Sequence, residues 1–149
     1  MSSLTSVHQV WAPRVLSILR FVPGPCFFEH GLSKLFGFPH APMFDHLHLF
    51  SLIGLQGVIE LVGGALVSIG LFTRPAAFIL SGDMAVAYFM AHFPKNFFPE
   101  LNGGDAAILY CFIFFYIFFA GPGPWSFDYA LRRTASSEEV SLSAGLWRA

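Results

Sequence analysis

Four long apolar stretches, residues 13–36, 49–71, 75–93 and 105–120, dominate the chain, and each is interrupted by only one or a few ionisable residues. Lipid tolerates few charges at the depth these residues imply. A charge near a bilayer centre costs about 2.5 to 3.5 kcal/mol on insertion scales, so Arg20, Glu60 and Asp83 are expected to face one another or a wet cavity. The pattern therefore points to a membrane protein with a functional interior.

Composition agrees with this. The chain has 149 residues, of which 55% are hydrophobic and 11% charged, against about 25% charged in soluble domains. A hydrocarbon core of about 30 Å takes roughly 20 helical residues to cross, a length met by the first three stretches. The fourth has 16 residues, about 24 Å of helix, and calls for local bilayer thinning or snorkelling ends. The first stretch is too long for a removable signal peptide and follows a Ser-rich start, so it is expected to double as the insertion signal. A net charge of −1 supplies no basic field for nucleic acid. The expected fold is all-α: a four-transmembrane-helix up-down bundle, multi-pass in a plasma (inner) membrane. Arg14, Arg74, Arg132, Arg133 and Arg148 against Lys34 and Lys95 place both termini in the cytoplasm by the positive-inside rule.

Local signals divide the chain further. Pro23-Gly24-Pro25 falls near the middle of the first stretch, where each proline lacks an amide donor and clashes with the carbonyl four residues back, so a kink or short break is expected. Gly70-Leu71-Phe72-Thr73-Arg74-Pro75 reads as a tight hairpin: a glycine stops one helix, Thr73 caps the next and Pro75 sits in its first turn. Gly121-Pro122-Gly123-Pro124 ends the fourth helix. The domain then covers residues 1–133, and the Ser/Glu-rich tail, 134–149, has too little apolar content to pack alone.

Counting from the outer helix ends puts Glu60 and Asp83 each about 15 Å deep, with Arg20 about 6 Å deeper and within reach of both. Such a cluster suits either a proton relay or a structural ion pair fastening the bundle. Gln56, Glu60, Gly63, Gly64 and Val67 share one helical face, a stripe of polar and small residues facing other helices. Nearer the outside, Glu29, His30, Lys34, His92 and Asp105 are expected to converge at a mouth among Phe36, Phe38, Phe44, Phe50, Phe93, Phe97 and Phe98. A ring-lined pocket with a histidine and carboxyls suits a quinone. The same phenylalanines also fit an aromatic belt at the interface, and Asp105 fits a helix-start carboxylate. His40, His46 and His48 alternate in a loop, but without supporting metal-ligand spacing no metal site is assigned. Cys26 and Cys111 lie at similar depth on neighbouring helices; packed free thiols and a disulfide are both geometrically open, and no Cys-x-x-Cys pair is present.

The ordered series Arg20, Gly24, His30-Gly31, Lys34, Phe36-Gly37, Glu60, Gly63-Gly64, Gly70 to Arg74, Ala76-Ala77, Pro94, Phe97-Phe98, Gly103-Gly104, Asp105, Gly121-Pro122-Gly123, Ser126 and Asp128 resembles the DoxX family of small four-helix membrane proteins. The resemblance covers residues 14–128. It implies the fold, and more loosely a link to thiosulfate:quinone oxidoreductase subunits or oxidative-stress complexes. Pro23 and Pro25 flanking the glycine, and Asp83 at a place expected to be apolar, depart from the family pattern. The leading expectation is an accessory or electron-transfer subunit that handles quinone, with His30, Glu60 and Asp105 as family-matched polar candidates. No cofactor is expected to be covalently bound, since no flavin, haem or iron–sulfur motif is visible; electrons would come from a redox partner protein or from quinone itself. The rival expectation is a non-enzymatic carrier of a small solute or protons on Arg20, Glu60 and Asp83, or a scaffold for a soluble partner. Small-residue faces fit a homodimer and internal packing equally.

Overall fold

The computed structural model describes the backbone of residues 2–146 and the side-chain surroundings of residues 7–137; Arg148 lies outside them. All regular structure among the described residues is helical. The first apolar stretch is split: α1 spans Ser2–Phe21 and α2 spans Pro23–Phe36, with the junction at Val22, one residue before the proline pair. Its interruption follows from the missing proline amides. Gly37 then closes α2 in the left-handed conformation, φ 68°, where an L side chain would be strained.

α3 spans Leu52–Ile69 and starts on Ser51, whose hydroxyl accepts a hydrogen bond from the Gly54 amide. Gly70 ends it at φ 73°, its amide reaching the carbonyls of Leu66 and Val67, as the hairpin reading required. α4 spans Thr73–Ala87 and passes into a π-helical turn at Tyr88–His92. One helical turn, α5, Pro99–Asn102, precedes α6, Asp105–Ala120, whose limits coincide with the fourth apolar stretch. α7, Phe127–Leu146, carries the helix through the polar tail, and residues 129–137 within it are exposed. The tail is thus helical without being packed over those residues.

The most intimate packing is between α2 and α3, which run antiparallel: Gly24 faces Ser68, Gly64 faces Phe28, Gly31 faces Leu61 and Gly57 faces Lys34. A Cβ at Gly31 would stand 2.4 Å from the Leu61 amide nitrogen, so backbone contact here requires glycine. The adjacent glycines of α3 serve two neighbours. Gly64 lies against α2, whereas Gly63 lies against Leu80 of α4. α4 in turn packs on α6 through Ala76, Ala77, Leu80 and Met84 against Ala107, Phe114 and Ile117, all buried. The outer surface is largely apolar, with Leu55, Phe78, Phe112, Tyr116 and Phe119 among the many exposed large side chains. A surface of that kind suits lipid, not water. α3 is long and apolar enough to cross a bilayer, and α6 is a shorter apolar helix.

Candidate functional site

Among the described residues, one buried ion pair lies in the interior. Lys34 Nζ, from the last turn of α2, stands 2.7 Å from Glu60 Oε2 on α3, and both side chains are more than nine-tenths buried. Glu60 points inward because it shares the α3 face of Gly57 and Gly64, the face closed by α2. Lys34 bends its alkyl stem down to meet it, and its ammonium also lies 5.8 Å from the Phe44 ring centroid. Asp83 of α4 completes the group: Glu60, Lys34 and the Gln56 amide all lie within electrostatic or hydrogen-bonding reach of it. Asp83 Oδ2 is buried without a hydrogen-bond partner. Two carboxyls therefore share one lysine, and the second carboxyl faces a cavity.

That cavity, about 640 Å³, lies between α3 and the α4 segment leading into the π-helical turn. Its walls are Leu52, Leu55, Ile59, Ile79, Val86 and Met90, and Gln56 and Asp83 are its polar side chains at depth. Most of the wall residues are also part of the exposed apolar surface, so the groove opens sideways from the bundle. A second groove of about 520 Å³, between α1 and α6, is lined by apolar side chains and Tyr110 and contains no charged group.

Arg20 is not part of the cluster. The expected Arg20, Glu60 and Asp83 triad is corrected to Lys34, Glu60 and Asp83, because in the α2–α3 register Lys34 lies beside Gly57 and Gly24 beside Ser68, which leaves Arg20 at the C-terminal end of α3. Arg20 is 2% exposed, and its guanidinium donates to the carbonyls of Val67, Ser68 (2.7 Å), Pro122 (2.9 Å) and Trp125 (2.5 Å). These carbonyls lie at the end of α3 and just beyond α6, and a planar fork with five donors matches them. Asp128 works beside it, accepting from the amides of Phe72 and Thr73, each at 2.9 Å. The cap expected from Thr73 is thus supplied by Asp128. The Thr73 side chain is itself buried with its hydroxyl unpaired, and Phe72, at φ 47°, occupies the cap position.

The expected mouth does not assemble as one cluster. His30 lies near Glu60, yet its ring is exposed and its Nδ1 is bonded to the Cys26 carbonyl at 2.7 Å. Glu29 and Asp105 are exposed, with no ion pair among the described residues. His92 bonds the Asn102 carbonyl at 3.1 Å and stacks on Tyr88. Asn102, buried, ties that loop together by donating to the Asn96 carbonyl at 2.8 Å and accepting from the Gly104 amide at 2.7 Å. Cys26 and Cys111 are free: the first lies beside Tyr110 and the second beside Ser81. His40 lies 3.6 Å from Asp45, and among the described residues no three metal-ligating side chains converge.

Lys34, Gln56, Asn102 and Asp128 are the residues whose roles sequence reasoning missed. For Lys34 and Gln56 the available signal was helical face: Gln56 lies one turn before Glu60 on the same face of α3, and Lys34 lies on the helix packed against that face.

An all-helical chain with an apolar exterior and one helix long and apolar enough to cross a bilayer fits a membrane protein. Residues 15–93 match the DoxX family. A protein of Haemophilus influenzae, described as uncharacterized, is 41% identical over 127 residues, covering 79% of this chain and 91% of the relative. The chain belongs to the DoxX family. No solved structure matches it. The family match includes Lys34, Glu60 and Asp83 and stops short of Asp105.

Proposed function

We propose that this protein is a quinone-interacting accessory subunit of a membrane oxidoreductase system, with its ligand site in the groove at Gln56 and Asp83. The supporting observation is a sideways-opening apolar groove that ends on a carboxyl whose Oδ2 is unpaired. Mostly apolar pockets with a few placed polar groups are the usual form of small-molecule sites. Leu55, Ile59, Ile79, Val86 and Met90 would line an isoprenoid chain entering from lipid. Gln56 offers an amide donor to a ring carbonyl. Asp83 donates to the other carbonyl when protonated and accepts from a quinol hydroxyl when ionised, so it can hold a proton at the point where reduction consumes one. The Lys34–Glu60 pair behind it fixes the charge of the site. Electrons would come from a redox partner protein, and the chain's own residues bind and orient the ligand.

In this reading α2, α3, α4 with its π-turn, and α6 are the four spans of an inner-membrane bundle with both termini cytoplasmic. α2 and α6 have 14 and 16 residues, about 21 and 24 Å, so the bilayer is thinned around them. Arg20 then sits at the cytoplasmic end with Arg74, Arg132 and Arg133, in keeping with the positive-inside rule.

The test is mass spectrometry of lipids retained by gently purified protein, comparing wild type with Gln56→Leu, Asp83→Leu and Glu60→Gln. Quinone enriched over bulk membrane in wild type and lost in the first two variants supports the reading. Equal quinone in all samples rejects it. Proton-coupled flux in liposomes that Glu60→Gln abolishes would instead favour a carrier.

A further inference from the structure

Two ionisable residues on α2 are left facing outward at a depth where lipid is a poor solvent for them. Glu29 is six residues from Pro23 and seven from Phe36, about 9 to 10.5 Å from either end of the helix. Glu29 and His30 are both exposed, whereas Phe27 and Gly31, beside them in sequence, are buried. α2 packs against α3 along its length, meets α6 through Phe27, whose ring stands edge-on to Tyr110 and Phe114, and contacts α1 only sparsely; Glu29 and His30 stay exposed beside these contacts. An ionisable side chain at mid-depth costs about 2.5 to 3.5 kcal/mol when it faces hydrocarbon. Protein must therefore take the place of lipid here.

We infer that this face of α2 is the interface of a homodimer, in which Glu29 of each protomer meets His30 of the other. The proposal rests on the membrane-spanning arrangement above and is independent of the ligand. Two copies inserted the same way and related by a twofold axis along the membrane normal bring their α2 helices side by side in the same direction. Each residue then meets its counterpart's neighbours at equal depth, and an acid adjacent to a base on one surface becomes two reciprocal acid–base pairs. The imidazole is prepared for this. A carbonyl can only accept, so Nδ1 donates to Cys26 O at 2.7 Å and Nε2 is the nitrogen left for a partner. One proton shared between Nε2 and the partner's carboxyl leaves the pair neutral overall, whichever side holds it. Val22, Phe28 and Phe36, exposed around the pair, supply an apolar surround that keeps it dry.

The experiment is native mass spectrometry of full-length protein from nanodiscs, together with oxidative cross-linking of Phe36→Cys, exposed two turns from Glu29 on the same side of α2, in a Cys26→Ala, Cys111→Ala background. Expected are a wild-type dimer, efficient cross-linking between positions 36 of two copies, and at least a tenfold weaker dimer in Glu29→Ala with His30→Ala. The exchange Glu29→His with His30→Glu should restore dimerisation, which a misfolded chain would not do. A monomeric wild type, or cross-linking of position 36 to a different protein, overturns the proposal. Rapid labelling of Glu29→Cys by a membrane-impermeant maleimide, as fast as Asn96→Cys in the loop, would show that α2 does not cross the membrane and would remove the premise instead.

Discussion

Lys34 and Glu60 meet at 2.7 Å across the α2–α3 contact, and the Asp83 carboxyl on α4 shares that lysine without a base of its own. Removing one member of a buried pair strands the other, at a cost of about 3 to 5 kcal/mol, whereas replacing both with apolar residues of similar volume is often close to neutral. Lys34→Met should therefore unfold far more readily than wild type in a detergent denaturation series. Lys34→Met with Glu60→Leu should recover most of the loss. Equal stability of the two variants would show that loss of Lys34 does not strand Glu60.

Arg20 makes four hydrogen bonds to carbonyls belonging to two segments more than 40 residues apart in sequence. An ammonium has only three donors and no planar fork, so Arg20→Lys is not conservative here. It should cost about 1.5 to 3 kcal/mol, the range for a hydrogen bond to a charged group, while quinone retention per folded molecule stays at the wild-type level. A selective loss of quinone with unchanged unfolding would place Arg20 back in the proposed ligand site.

What could be read from sequence was local. The bounds of α6 follow from Gly-Gly before Asp105 and Gly-Pro after Ala120, and Gly70 ends α3 because the chain must turn left-handed there. The break near Pro23 was equally visible. The register between helices was not: counting from the helix ends set Lys34 level with the start of α3, whereas it lies beside Gly57, so Arg20 falls at the far end of α3. Lys34 was misjudged for a different reason. Its backbone lies near the end of α2, but a four-carbon stem lets the ammonium reach inward. Asp128 bonds amides 55 and 56 residues away, a relationship that no spacing along the chain encodes.

Asp128 closes the start of α4 by accepting from two amides at once. A helix start has unpaired donors and a partial positive charge, so a carboxylate is well suited there. Asp128→Ala should lower stability by about 1 to 2 kcal/mol, as loss of an N-cap does. Asp128→Asn retains one acceptor oxygen and should lose less. Faster amide exchange at Phe72 and Thr73 in the alanine variant is the direct check.

Three glycines separate close packing from mere helix composition. At Gly31 a Cβ would meet the Leu61 backbone at 2.4 Å, and at Gly64 it would meet the Phe28 amide nitrogen at 2.4 Å, whereas nothing lies within 4 Å of one at Gly82. Backbone atoms cannot swing aside like the end of a side chain, so Gly31→Ala or Gly64→Ala must push α2 away from α3. That displacement would stretch the Lys34–Glu60 contact as well, since Gly57 and Gly64 bracket Glu60 on the same face. Gly82→Ala, in the interior of α4, should instead stabilise by about 0.4 to 1 kcal/mol through reduced freedom of the unfolded chain. Denaturation midpoints should therefore fall for the first two variants and rise for the third, and a fall at Gly82 would mean that its open side is occupied in the assembled protein.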